Sequence, residues 1–216
     1  MDQHSSDHLP SNPFATRFVR PGEIDFLFSD EDSLPRVAQQ LQQNHWRGQI
    51  IGPHGSGKST LLASLLPVLP PEVHVRLHTL RDGQRRLAFD TSSAGEGCTV
   101  LLVIDGFEQL SRWQRWRIHR HCRRRNWGLL ITAHADLGLP TLFTTQTSEA
   151  LARQLAERRL GGELSAAALA EVQACYRLKS GNCREMLFDL YDRYEAQPWL
   201  FVPADTSKAE DPRISR

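Results

Sequence analysis

The chain has 216 residues, 40% hydrophobic and 24% charged, with a formal net charge of +1. That balance suits one compact domain, or a core domain plus a small appendage, and it gives no global field that would draw the whole chain to nucleic acid or to a membrane surface. No stretch approaches the roughly 20 apolar residues of a membrane span. Met1-Asp2-Gln3-His4-Ser5-Ser6-Asp7 lacks a basic region followed by an apolar core, and Cys98, Cys122, Cys175 and Cys183 form no C-x-x-C pair, so a reduced cytoplasmic setting is expected.

Residues 1–28 read as a polar N-terminal segment and then, from Asn12-Pro13-Phe14, an extended arm, because its prolines and Gly22 oppose a long helix. The arm is expected to pack on the domain as core cover or as a border for a base. Ser29-Asp30-Glu31-Asp32-Ser33 offers caps for a helix whose apolar positions Leu34, Val37 and Leu41 run to about Asn44. Gly48-Gln49-Ile50-Ile51 is a candidate buried strand. A glycine-rich run follows it, and then an apolar helical segment from Thr60 to Leu66, stopped by Pro67.

Glu72 to Leu77 alternates as a strand does, and Arg81 to Gly97 is a polar, glycine-punctuated connection with room for a short helix. Thr99-Val100-Leu101-Leu102-Val103-Ile104 has the uninterrupted apolar character of a strand buried on both faces. A helix from Leu110 to about Arg125, a buried strand from Trp127 to Thr132 and a fifth candidate strand from Thr141 to Thr145 follow. The alternation predicts an α/β fold, a three-layer α/β/α mostly parallel sheet of about five strands over residues 29–147. Three helices then predict a small helical lid over 148–197: Ser148 to Leu160, Ser165 to about Leu178, and about Arg184 to Glu195. Gly161-Gly162 and Gly181-Asn182 separate them, and residues 198–216 read as a polar tail.

Gly52-Pro53-His54-Gly55-Ser56-Gly57-Lys58-Ser59 fits the phosphate-loop pattern G-x-x-x-x-G-K-[ST] at every fixed position. Glycines let successive amides converge on one anion, and the following helix turns its positive end toward it. Lys58 has the reach for β- and γ-phosphates, the Ser59 hydroxyl suits a Mg²⁺ shell, and Thr60 completes the binding set. Asp105 closes the buried strand, where a charge needs a partner, and is the candidate acid beside the metal. Glu108 is the candidate for orienting an attacking water, against the alternative of an ordinary early-helix acid. Thr132 ends a second buried strand, beside Asp105 if the two strands pair. His134 carries less weight, since a lone histidine is more often structural.

Together these motifs resemble the AAA+ and related STAND class of P-loop ATPases, from about Ser29 to Glu195. Val103-Ile104-Asp105-Gly106-Phe107-Glu108 is similar to the STAND acidic motif, Thr132 falls at the AAA+ sensor 1 position, and Gly181-Asn182-Cys183-Arg184-Glu185 is similar to sensor 2. The resemblance implies ATP and Mg²⁺ as ligands, hydrolysis to ADP and phosphate, and an Arg184 that reads the γ-phosphate and couples it to the lid. It also implies output through a protein partner or self-assembly. Two positions depart from the family pattern: Gly106 stands where AAA+ proteins place a glutamate, and Gln109 where STAND proteins often have a second acid. ATP rather than GTP rests on the resemblance. A non-hydrolysing nucleotide switch and a nucleic-acid-associated helper ATPase are the alternative functions.

The run from Arg112 to Arg125 is basic and aromatic. It reads as a nucleic-acid contact, as an intersubunit face supplying an arginine finger, or as a solvated helix face whose Trp and Ile residues pack inward.

Overall fold

The computed structural model describes residues 12–18, 20, 22–28, 32–88 and 98–201. The polar N-terminal stretch, the caps Ser29-Asp30-Glu31, positions 89–97 of the polar connection and the tail beyond Phe201 lie outside the described residues. The chain divides into two compact units, one from Ile24 to Gln146 and one that joins residues up to Glu23 with those from Thr147 onward.

The first unit is a five-stranded sheet in which every pairing is parallel. Its strands are β1 (Arg47–Ile51), β2 (Val73–Thr79), β3 (Thr99–Asp105), β4 (Gly128–Ala133) and β5 (Thr141–Thr144), in the order β2-β3-β4-β1-β5. Helices α1 (Leu34–Gln43) and α2 (Lys58–Leu65) cover one face and α3 (Arg112–Arg125) the other. Strand β3 shows why the layers form. Leu101 and Val103 pack with Val37, Leu41, Leu61 and Leu65, while Val100, Leu102 and Ile104 pack with Ile118 and Cys122 of α3. Each such side chain contributes about 1.5–3 kcal/mol of burial. The pleat sends neighbours to opposite faces, so a strand sandwiched between helix layers must be apolar throughout.

Several boundaries differ from the sequence reading for local reasons. Ser33 occupies the N-cap of α1 in extended conformation without a side-chain cap bond. The helix expected from Leu110 is preceded by a short 3-10 turn, Phe107–Gln109, and begins only at Arg112, where Ser111 accepts from the Gln114 amide. Described residues 81–88 hold no helix.

The second unit packs α4 (Glu149–Leu160), α5 (Ala166–Leu178) and α6 (Cys183–Ala196) around Ala152, Ala156, Val172, Met186, Leu187 and Leu190. Ser148, Ser165 and Asn182 cap their N-termini with side-chain oxygens. Phe14 is fully buried in this core, edge-on to Tyr194 and Phe201, and Asn12 donates to the Tyr191 carbonyl at 3.0 Å. The arm expected over 1–28 is therefore divided: Phe14 belongs to the helical core, whereas Phe26 and Phe28 meet Phe143 of β5 edge-on. Likewise Pro198–Phe201 is a 3-10 turn with a buried Phe201, so these residues extend the helical unit rather than begin a tail.

Candidate functional site

Parallel pairing aligns the carboxyl ends of β1, β3 and β4 at one edge of the sheet. Ile51 pairs with Ala133 and Ile104 with Ile131. Asp105, Thr132 and Ala133 at those ends, and Gly52 and His134 just beyond them, therefore share an edge, the place where open α/β sheets carry ligands.

The loop after β1 requires glycine at its first position. Gly52 has φ +152°, and a Cβ there would stand 2.2 Å from Thr145 Oγ1 and 2.5 Å from the Thr145 carbonyl oxygen. Thr145 is fully buried just after β5, its amide donates to the Ile51 carbonyl at 2.8 Å, and its hydroxyl meets Ser56 Oγ at 2.6 Å. Ser56 also reaches the Pro53 carbonyl at 2.7 Å. These bonds hold the loop to the sheet from both sides. At the loop's far end, where α2 begins, the amides of Gly57, Lys58 and Ser59 donate to no carbonyl among the described residues, leaving the unpaired donors of a helix N-terminus available to an anion.

Lys58 is only 9% exposed. Its ammonium donates to the carbonyls of Gly52 and Pro53, each at 2.7 Å, and lies 3.2 Å from His134 Nδ1. Burial pushes its pKa below the ordinary lysine value, and the nearby Glu108 and Asp105 carboxylates oppose that shift. His134 Nε2 lies 2.8 Å from Glu108 Oε1. Nε2 faces a carboxylate and so donates to Glu108, while Nδ1 lies 3.2 Å from both Lys58 Nζ and the Gly52 carbonyl oxygen. His54 lies across the His134 ring, with centroids 3.6 Å apart.

Asp105 and Thr132 form the second half of the site. The Thr132 hydroxyl donates to Asp105 Oδ1 at 2.5 Å and accepts from the Gly106 amide at 2.8 Å. Thr132 is 1% exposed, so this bond fixes one oxygen of the carboxylate in a nearly dry setting. Gly106 has φ +83°, a conformation costly for any residue with a Cβ, and this is the local reason glycine rather than glutamate follows Asp105. Glu108 lies within the 3-10 turn that follows. Its Oε2 is buried and has no hydrogen-bond partner among the described residues. Gln109 turns its amide nitrogen to Asp82 Oδ1 at 3.3 Å.

Lys58, Asp105, Glu108 and Thr132 thus come together at one sheet edge, with His134 between two of them. Arg184 lies in the helical unit, exposed in the first turn of α6, where its amide donates to Asn182 Oδ1 at 3.1 Å. Sequence reasoning left His134 as a weak candidate and missed Thr145 and the His54–His134 stack. The available signal for His134 was its position two residues past Thr132, at the end of a strand that pairs with β3. Thr145 carries no comparable signal, because its role depends on β5 lying beside β1. The reading of α3 with Trp packed inward is corrected: Ile118 is buried, but Trp113 and Trp116 are 61% and 56% exposed.

No protein-family model and no curated protein sequence matches the chain. Its structure is similar to the crystal structure of Cdc6p from Pyrobaculum aerophilum, with a TM-score of 0.60 at 14% identity, covering 88% of this chain and 66% of that one. It is also similar to the Thermotoga maritima RuvB Holliday junction branch migration motor, with a TM-score of 0.53 at 16% identity, covering 85% of this chain and 67% of that one. Both are AAA+ P-loop proteins. The fold is that of an AAA+ P-loop domain. The chain spans about two thirds of the length of those structures. Among the described residues no helix is long and apolar enough to cross a membrane.

Proposed function

We propose that the chain binds Mg·ATP at the 52–60 loop and hydrolyses it to ADP and phosphate. The observation that carries this reading is the meeting of Lys58, Asp105, Glu108 and Thr132 at one sheet edge, with a buried Glu108 oxygen left unpaired.

The amides of Gly57 to Ser59 cradle the phosphates, and Lys58 exchanges loop carbonyls for charged phosphate oxygens, which make stronger hydrogen bonds. Pro53, His54, Gly55 and Ser56 complete the wall of the cradle. Ser59 and Asp105 would hold magnesium, and their hydroxyl and carboxylate oxygens are the hard donors that ion prefers. Bound there, magnesium neutralises charge on the phosphates. Thr132 keeps Asp105 turned to its task through the 2.5 Å bond. Glu108 Oε2 accepts a proton from the attacking water as a bond forms to the γ-phosphorus and the bond to the departing ADP oxygen breaks. His134 positions Glu108 from the other oxygen.

The output reading extends the same logic. Arg184, a permanently charged fork, reads the γ-phosphate, so that the helical unit responds to hydrolysis and passes the change to a protein partner or a second copy. The STAND-like spacing of Asp105 and Glu108 and a cytoplasmic setting belong to this proposal. A second reading, a nucleotide switch with little turnover, is favoured by Glu108 already being engaged by His134. Phosphate release from ATP with magnesium, measured on the wild type and on Asp105→Asn, tests the proposal. Release lost in the variant is the expected result. Retained ATP without release from the wild type would establish the switch, and release unchanged in Asp105→Asn would contradict the assignment.

A further inference from the structure

Helix α3 has seven arginines and no acid in 14 residues. Its inward side is committed to the sheet, with Gln114, Ile118 and Cys122 buried. Its outward side carries Trp113, Trp116, Arg117, Arg120 and Arg124, all exposed. At 100° per residue these five fall within one stripe roughly 100° wide, so they form one surface rather than scattered side chains. The stripe is organised. The Arg117 guanidinium lies 4.7 Å from the Trp113 ring centre and Arg120 lies 5.4 Å from that of Trp116. Each indole stays more than half exposed, which leaves π surface open beside a positive charge. Arg117, Arg120 and Arg124 have no carboxylate partner among the described residues. A groove of about 580 Å³ runs along the stripe, walled on its other side by Leu87 and Ala88.

We propose that this face of α3 binds single-stranded nucleic acid, with bases stacked on Trp113 and Trp116 and phosphates neutralised by Arg117, Arg120 and Arg124. The chemistry selects this occupant over two others. An acidic peptide would satisfy the arginines but leave both indoles without a planar partner, whereas a nucleotide supplies an anion and a π face together. A bilayer surface would attract the arginines, but the aliphatic residues of α3 that could enter it are buried against the sheet. A duplex hides its base faces in its own stack and so cannot use protruding indoles. The interaction is local, since the whole chain carries only +1. It is independent of the phosphate-loop assignment.

The test is fluorescence anisotropy of labelled oligothymidylate and oligouridylate with the full chain over a salt series. Binding of either strand is expected, with log K falling against log salt by roughly 0.7 per phosphate contact, about 2 for three contacts. Combined Arg117→Gln, Arg120→Gln and Arg124→Gln should flatten that dependence. Trp113→Ala or Trp116→Ala should weaken binding by ~5- to 150-fold and keep the slope. All of these positions are exposed, so the variants are expected to keep the wild-type thermal midpoint and Mg·ATP affinity, which separates this surface from the loop. No binding at low salt, equal affinity for a duplex of the same length, equal competition by polyglutamate, or binding only to phosphatidylserine vesicles would each overturn the proposal.

Discussion

The phosphate-loop end of the sheet and the outer face of α3 both carry cations, and they treat them in opposite ways. At the loop a single ammonium, Lys58, is nearly buried and lies within 3.2 Å of two carbonyls and a ring nitrogen. On α3 the guanidinium groups of Arg117 and Arg120 stand in water beside exposed indoles, with no carboxylate among the described residues to hold them. A buried charge persists only where geometry is exacting, so each contact at the loop is specific and intolerant of change. An exposed charge is screened within about 8 Å at physiological salt, so the α3 face acts by number and position rather than by any single bond.

The sharpest way to test the exacting side is Glu108→Gln. Removing the base while keeping the shape should lower kcat for ATP hydrolysis by ~10²–10⁴-fold with ATP still retained, as read by phosphate release and nucleotide co-elution. Unchanged turnover would remove Glu108 from the mechanism. Lys58→Ala should follow, with a ~10- to 150-fold loss of Mg·ATP affinity, the range for one lost hydrogen bond to a charged group.

Stability should separate the two regions as well. His134→Ala strips a partner from the half-buried Glu108 and is expected to cost about 1–3 kcal/mol in chemical denaturation. Arg120→Ala on α3 should stay within about 0.5 kcal/mol. Equal effects would dissolve the contrast.

Cysteine labelling gives the smallest effect and reports which side of α3 faces inward. Burial pushes the Cys122 and Cys175 thiols up to about 12 and Cys183 up to about 11, while Cys98 is exposed. A raised thiol pKa means fewer thiolates at a given pH, so one thiol should react with Ellman's reagent near pH 8 and all four only after unfolding.

The elements that were legible in the sequence are those whose physics is local. The uninterrupted apolar runs of β3 and β4, the caps Ser148 and Ser165, and the phosphate loop each carry their signal within a few neighbouring residues. The features that were not legible depend on which strands lie side by side. The pairing of β1 with both β4 and β5 brings His134 and Thr145 to the loop, and neither pairing is written in the residues around them. The division of the N-terminal arm was hidden for the same reason, since Phe14 and Phe26 look alike in sequence and differ only in the core each one fills. Exposure of Trp113 and Trp116 was left open among three readings of α3, because large aromatics on a helix are more often core.

The central claim is that loop amides and Lys58 together grip a triphosphate. Equilibrium dialysis of Mg·ATP against the folded full chain measures this directly. Saturable one-to-one binding that weakens sharply in Lys58→Ala is the predicted result, and a folded chain that retains no ATP at millimolar nucleotide would contradict the account.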